Sequence, residues 1–123
     1  VSSYVNATSY KEKAFFEAVF PEAGKEMKEE EVLKSFAMFE ESYGLINSYF
    51  AGAEFTDEEG KAYEAYFKET YDPLVSAYVA KSKAFVEILE GNKDAMLDYD
   101  ALGGYSDGFI DAHNGFVTLL DKY

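Results

Sequence analysis

The chain has 123 residues, 48% of them hydrophobic, which fits a single folded domain, residues 1–123, with a substantial core. It is acidic, with a formal charge of −13, and it contains no arginine. This charge, and the lack of arginine for bidentate phosphate contacts, disfavour binding to nucleic acid or to an anionic membrane surface, and the lack of cysteine excludes a disulfide framework.

The first predicted helix is short and follows a loose lead-in, residues 1–7. Thr8 or Ser9 serves as its N-cap, and Pro21 and Gly24 end it. Three bulky side chains stand close together near its end: Phe15, Phe16 and Phe20. Because two of these positions are adjacent, we expect the helix to be buried on more than one side.

A second helix is predicted over residues 25–51. Glutamates crowd its first turns, where the positive end of the helix dipole favours them. Its apolar stripe advances in alternating steps of four and three residues: Val32, Phe36, Phe39, Tyr43, Ile46 and Phe50. That spacing predicts a seam against antiparallel neighbours, and Gly52 stands where a C-terminal glycine is expected.

The third predicted helix covers residues 56–90, and Thr56 with Glu59 forms a capping-box pattern at its start. Pro73 interrupts its stripe. A proline inside a helix removes a hydrogen bond and clashes with the preceding turn, at a cost of roughly 3 kcal/mol. Asp72 and Pro73 also suit the cap and first residue of a new helix. We therefore expect this helix to be kinked or broken at Asp72-Pro73.

The last quarter of the chain carries the most regular apolar stripe. Asn92 is its predicted N-cap, and one row recurs every seven residues: Ala95, Leu102, Phe109, Phe116 and Tyr123. The stripe keeps its phase through Gly103-Gly104, where helix propensity is lowest. Two outcomes follow: one long bent helix, or a split at Gly103-Gly104 with Ser106 or Asp107 capping a final helix. We favour the split, because two glycines followed by a cap residue indicate a stop and a restart.

Short connections between long amphipathic helices predict an all-α, antiparallel up-and-down helical bundle of three long helices plus a short N-terminal helix. In that geometry Pro73 and the glycines of the fourth helix lie near one height. Three explanations are open: close helix contact, a bend around the first helix, or a break that opens a pocket. The predicted ligand-binding residues around it are Phe36, Phe39, Thr70, Tyr71, Leu74, Phe109 and His113. The alternative is that His113 is a core histidine bonded to Thr70 or to a tyrosine hydroxyl.

No metal, cofactor or catalytic residue is predicted. Asp98, Asp100 and Gly103 resemble the start of a calcium loop, but Leu102 and Phe109 occupy positions that need oxygen ligands. A di-iron bundle needs two Glu-x-x-His motifs, and the chain has one histidine. No spacing favours haem held by that histidine and a methionine. Recognised nucleophile, phosphate-loop and zinc patterns are absent from the sequence, so we expect no enzyme.

The sequence therefore favours a non-enzymatic interaction module that binds a protein or other surface partner. From its composition we expect an extracytoplasmic domain of a bacterial surface or secreted protein, lipoprotein-like in character. The first residue, Val1, suggests either a processed product, from which a signal or anchor segment was removed, or a trimmed one. An exposed aromatic face would carry the contact, with Tyr4, Tyr10, Tyr63 and Tyr105 as candidates. The alternative is a small-ligand-binding or sensory bundle using the pocket near His113. No stretch is long and apolar enough to insert into a membrane, and the sequence does not indicate an oligomeric state.

Overall fold

The computed structural model describes residues 1–91 and 95–123, and within these ranges every regular element is helical. The elements are α1 (Ser2–Val19), α2 (Glu29–Gly52), α3 (Glu58–Tyr66), a π-helical turn (Phe67–Tyr71), α4 (Asp72–Gly91) and α5 (Tyr99–Lys122). Because α3, the π turn and α4 follow one another without a gap, the described chain forms four helices. The predicted all-α helical bundle is confirmed.

Contacts between successive helices pair early residues of one with late residues of the next. On α1 and α2, the ring centroids of Tyr4 and Tyr49 are 5.0 Å apart and those of Phe15 and Phe36 are 5.6 Å apart. The same opposite order holds for Phe50–Phe67 and Phe39–Tyr78, and for Tyr66–Phe116 and Phe85–Tyr99. This is the order of contacts that antiparallel neighbours produce.

The first helix is longer than the sequence indicates. It spans 18 residues, and the predicted lead-in over residues 1–7 is helical from Ser2 onward, so the short helix and its cap at Thr8 or Ser9 are wrong. Its buried positions are Val5, Thr8, Glu12, Phe15 and Val19. This is a three-four spacing in which two of the five members are polar. Because these two residues are polar, the apolar periodicity of the sequence does not reveal the buried face of α1.

The boundaries of the next two helices shift by a few residues. The α2 helix begins at Glu29 rather than at residue 25 and keeps three glutamates in its first turn. The N-cap of α3 is Asp57 rather than Thr56, because the Asp57 carboxylate accepts a hydrogen bond from the Gly60 amide at 2.7 Å. A Cβ at Gly60 would lie 2.7 Å from the same Asp57 oxygen, so glycine suits this tight start.

The long third helix passes through Asp72-Pro73 without a break. The π turn ends just before, and the Asp72 amide donates to the Phe67 carbonyl five residues back. Pro73, which has no amide, therefore falls where the hydrogen-bond ladder has shifted register. Asp72 also holds α2, since its Oδ1 accepts from Tyr43 Oη at 2.6 Å and from Asn47 Nδ2 at 3.3 Å. The predicted break is wrong, and the alternative of a kink stays a prediction.

The fourth long helix, α5, is continuous from Tyr99 to Lys122, so the favoured split at Gly103-Gly104 is wrong. Each glycine costs roughly 0.5–1 kcal/mol, whereas burial of a phenylalanine contributes roughly 1.5–3 kcal/mol. Phe109 and Phe116 are fully buried on one face, which outweighs the glycine pair. The N-cap is Asp98, whose carboxylate accepts from the Ala101 amide at 3.0 Å. The predicted cap Asn92 lies outside the described residues.

Candidate functional site

Four of the seven residues predicted to line a pocket lie together in the aromatic core. Phe39 and Tyr71 are 0% exposed and Phe109 is 1% exposed. The Phe109 ring centroid lies 6.0 Å from that of Phe39, 6.2 Å from that of Tyr71 and 6.3 Å from that of His113. These residues meet as a packed cluster of rings.

The other three predicted pocket residues make no ring contact with Phe109. Thr70 is exposed, so it offers no hydrogen bond to the core and the predicted His113–Thr70 bond is not formed. Phe36 packs on Phe15 of α1. Leu74 is half-buried beside Gly108, where a Cβ would lie 3.2 Å from Leu74 Cδ1. Three cavities of about 440, 490 and 580 Å³ lie elsewhere on the bundle, and Phe36 lines a smaller one of about 270 Å³ between α2 and α4.

Two polar atoms in this cluster are buried without a hydrogen-bond partner among the described residues, His113 Nδ1 and Tyr71 Oη. Burial lowers the pKa of His113, so the imidazole is neutral at pH 7. Burial also raises the pKa of Tyr71; the nearby Thr8 hydroxyl, which donates to the Tyr4 carbonyl, lowers it, and the Glu12 carboxylate raises it further. An unpartnered buried polar atom costs free energy, and these two lie on rings that flank Phe109.

A different site emerges between α1 and α5, and it is an open groove of about 440 Å³. Its lining residues on α1 are Ser9, Glu12, Lys13, Phe16 and Glu17, and those on α5 are Ser106, Asp107 and Ile110. Both sets recur at helical spacing, so they stand on facing sides of two neighbouring helices. This volume lies within the range of small-ligand pockets. We call it the α1–α5 groove.

Glu12 lies on the wall of this groove. Glu12 is only 4% exposed, although it is one of the residues of α1 that line the groove. Its Oε2 accepts hydrogen bonds from Tyr78 Oη at 2.6 Å and from Ser106 Oγ at 2.9 Å. Burial raises the pKa of the Glu12 carboxyl, and the two hydrogen bonds, which favour the charged form, offset part of that rise. One carboxyl group thus ties α1 to α4 and α5.

The partners of Glu12 are themselves held rigidly. Tyr78 is 0% exposed, stacks on Tyr105 with ring centroids 6.0 Å apart, and meets Phe39 edge to face at 5.2 Å. Burial and the neighbouring Glu12 carboxylate raise the pKa of Tyr78, so its hydroxyl keeps its proton and donates it. Ser106 is buried within the continuous α5, beyond the glycine pair. The carboxylate is therefore fixed in position from two sides.

The exposed aromatic face predicted from tyrosines is not formed. Tyr10 is 74% exposed, but Tyr63 is buried at 7%, and Tyr4 and Tyr105 are half-buried. Rings on α2 and α4 cover two of them: Tyr49 packs on Tyr4, and Tyr78 stacks on Tyr105. The isolated ring of Tyr10 makes no patch with these three.

Sequence reasoning missed Glu12 altogether, although one signal marks it. Glu12 occupies a position on the buried face of α1, where the helical spacing predicts a buried residue. Ser106 likewise occupies a position on the buried face of α5. A charged residue on a core stripe is rare unless it has partners. Its partners are distant in the sequence, by 66 residues for Tyr78 and 94 for Ser106.

Within residues 1–91 and 95–123, no three His, Cys, Asp or Glu side chains are placed to hold a metal ion. Over the same residues no helix has the length and hydropathy needed to cross a bilayer. Comparison of the chain with protein-family models, with curated proteins and with solved structures gave no match. Function is therefore argued from the geometry of this chain.

Proposed function

We propose that the domain is a non-enzymatic binding module that recognises a segment of a partner protein in the α1–α5 groove. The observation that carries the proposal is an open groove of about 440 Å³ with a nearly buried carboxyl group, Glu12, on its wall. Burying a carboxyl group is costly, and a bound partner group that pairs with it would offset the cost. The predicted interaction module is kept, with this groove in place of an aromatic face.

The walls of the groove combine features of a protein-binding surface. Phe16 is half-buried and Ile110 is 47% exposed, so both offer apolar area to a partner. The chain as a whole carries −13, and carboxylates outnumber the one lysine in the groove lining. Such a surface complements a basic segment and speeds its association. A protein partner with basic residues is therefore the occupant that the charge supports.

Ser106 and Glu12 form a serine–carboxylate pair, yet their arrangement supports binding rather than catalysis. Ser106 is only 3% exposed, and its hydroxyl proton is engaged in the 2.9 Å bond to Glu12. The same Glu12 Oε2 also accepts from Tyr78 Oη, so the Ser106 hydroxyl is part of a fixed link between α1, α4 and α5. We assign it the role of holding the carboxylate.

The proposal is tested by selecting peptides from a random display library on the immobilised domain. We expect enriched peptides to lose about tenfold or more in affinity for the Ile110→Ser variant, because Ile110 is a groove wall. Leu45→Ser is the matched control: Leu45 is an aliphatic residue of α2, 54% exposed and outside the groove. Peptides that bind both variants equally well, or a library that yields no binder, would overturn the proposal.

A small-ligand-binding bundle is the second candidate. The observation that favours it is the pair of unpartnered buried atoms, His113 Nδ1 and Tyr71 Oη. A ligand with one acceptor and one donor would satisfy both. Native mass spectrometry of freshly purified protein tests this: a reproducible adduct lost in His113→Phe supports the ligand, and a bare mass contradicts it. The predicted extracytoplasmic location stays a prediction, since no structural feature described here bears on it.

A further inference from the structure

The free acceptor of Glu12 decides which chemical group fits the groove. Oε2 already accepts two hydrogen bonds, from Tyr78 at 2.6 Å and from Ser106 at 2.9 Å, so both of its lone pairs are engaged. Oε1 accepts no hydrogen bond from any side chain in the described part of the chain. One oxygen of a groove-lining carboxylate is thus left for a ligand.

The remaining lining favours a cation on an apolar stem. Its charged groups are three carboxylates and one ammonium: Glu12, Glu17, Asp107 and Lys13. The ammonium of Lys13 is already paired with Glu17 at 3.9 Å. Phe16 and Ile110 supply apolar surface in the same groove. A lysine side chain matches this lining, because it carries an ammonium at the end of a four-carbon stem.

We propose that the α1–α5 groove binds a lysine side chain of the partner, in preference to an arginine, through a hydrogen bond from its ammonium to Glu12 Oε1. This inference rests on the proposed function and names its ligand. An arginine binds a carboxylate best with two parallel bonds, one to each oxygen, and Oε2 has no lone pair left. A lysine ammonium needs one acceptor and leaves its other protons to water or to the rim carboxylates.

Binding of an ammonium requires Glu12 to be charged, so affinity should fall as the pH falls and the carboxyl takes up a proton. The groups that face Glu12 are Lys13 and Glu17 on α1, Tyr71 on the π turn, Tyr78 on α4, and Ser106 and Asp107 on α5. Both tyrosines stay neutral, because burial raises their pKa values. The part of the pH dependence that Glu12→Gln removes is therefore the contribution of Glu12.

The test uses three matched probes, the N-acetyl N-methylamides of lysine, norleucine and arginine, titrated into the full chain and followed by its amide NMR shifts. We expect the lysine probe to shift groove amides and to bind roughly 10–100-fold more tightly than the norleucine probe, which lacks the ammonium. The arginine probe should bind more weakly than lysine. Glu12→Gln should remove most of the difference between lysine and norleucine, whereas Glu41→Gln, on an exposed side chain of α2 outside the groove, should preserve it.

The outcomes separate this inference from the proposed function. If the lysine and norleucine probes bind the groove equally well, the proposed binding module is supported. The proposed hydrogen bond from the ammonium to Glu12 is then overturned. If none of the three probes shifts the amide signals of the groove, the inference is overturned. The display selection would still test the proposed binding module. If Glu12→Gln does not fold, Ser106→Ala provides the second variant. It frees a lone pair on Oε2, so it should narrow the preference for lysine over arginine, and an unchanged preference would refute the argument.

Discussion

Two glycine-to-alanine substitutions on α5 should shift stability in opposite directions. Gly104 is exposed and a Cβ there meets no atom within 4 Å. Alanine at this position gains helix propensity, and we expect Gly104→Ala to raise the free energy of unfolding by about 0.5–1 kcal/mol. At about 2.1 cal/mol/K of unfolding entropy per residue, this is a rise in Tm of about 2–4 °C for 123 residues.

Gly115 lies on the same helix in a crowded position. A Cβ there would overlap the hydroxyl of Tyr66, which donates to the Ala112 carbonyl at 2.7 Å. Displacing this ring breaks the hydrogen bond, worth about 1 kcal/mol, and adds the strain of overpacking. We expect the gain in propensity to be exceeded, so that Gly115→Ala lowers the free energy of unfolding by about 1 kcal/mol.

Urea unfolding followed by circular dichroism at the helix band measures both variants. The contrast between them is the informative quantity, because both exchange the same residues in the same helix. A loss of stability for Gly104→Ala would mean that α5 is not helical there and that the glycine pair ends a helix. Equal gains for both variants would mean that Tyr66 does not pack against Gly115.

Three further predictions address the core, the α2–α4 contact and the buried carboxyl. Phe39→Ala should cost about 3–5 kcal/mol, whereas its neighbour Met38→Ala, 38% exposed, should cost about 0.5 kcal/mol or less in the same urea assay; similar losses would contradict the burial pattern. Tyr43→Phe should lower the free energy of unfolding by about 1 kcal/mol through loss of the 2.6 Å bond to Asp72, and a neutral result would show that bond to be dispensable. Because the pKa of Glu12 is raised in the folded state, the folded chain holds this proton more tightly than the unfolded chain does. The free energy of unfolding of the wild type should therefore fall relative to that of Glu12→Gln as the pH rises from about 4.5, where the unfolded carboxyl titrates. Urea midpoints of both proteins between about pH 4 and 8 check this, and parallel curves would refute the raised pKa.

Helical periodicity predicted the fold class and much of the core. The α2 stripe is buried at Val32, Phe36, Phe39, Ile46 and Phe50, with Tyr43 half-buried at its edge. On α5, the phase carried through the glycine pair was the correct signal, and the local propensity was misleading. Phe109 and Phe116 are buried by other helices, and the stabilisation from this burial is not part of local helix propensity.

The candidate site was predicted less well, and for a related reason. Mid-height packing of Phe39, Tyr71, Phe109 and His113 follows from helix spacing and the order of the helices. The groove depends on Glu12 instead, and a glutamate on a stripe gives no apolar signal. The role of Glu12 depends on its hydrogen bonds with Tyr78 and Ser106, and only the tertiary structure brings these residues together.

The central claim is that a lysine ammonium binds Glu12 in the α1–α5 groove, and intermolecular NOEs test it most directly. With the lysine probe in excess, we predict contacts from its ε-methylene protons to the Phe16 ring and to the side chain of Glu12. A second aromatic and acidic cavity, of about 580 Å³ and lined by residues that include Tyr49, Tyr63 and Asp57, is the competing location. NOEs confined to that cavity, or the same groove NOEs in Glu12→Gln at equal probe affinity, would contradict the account.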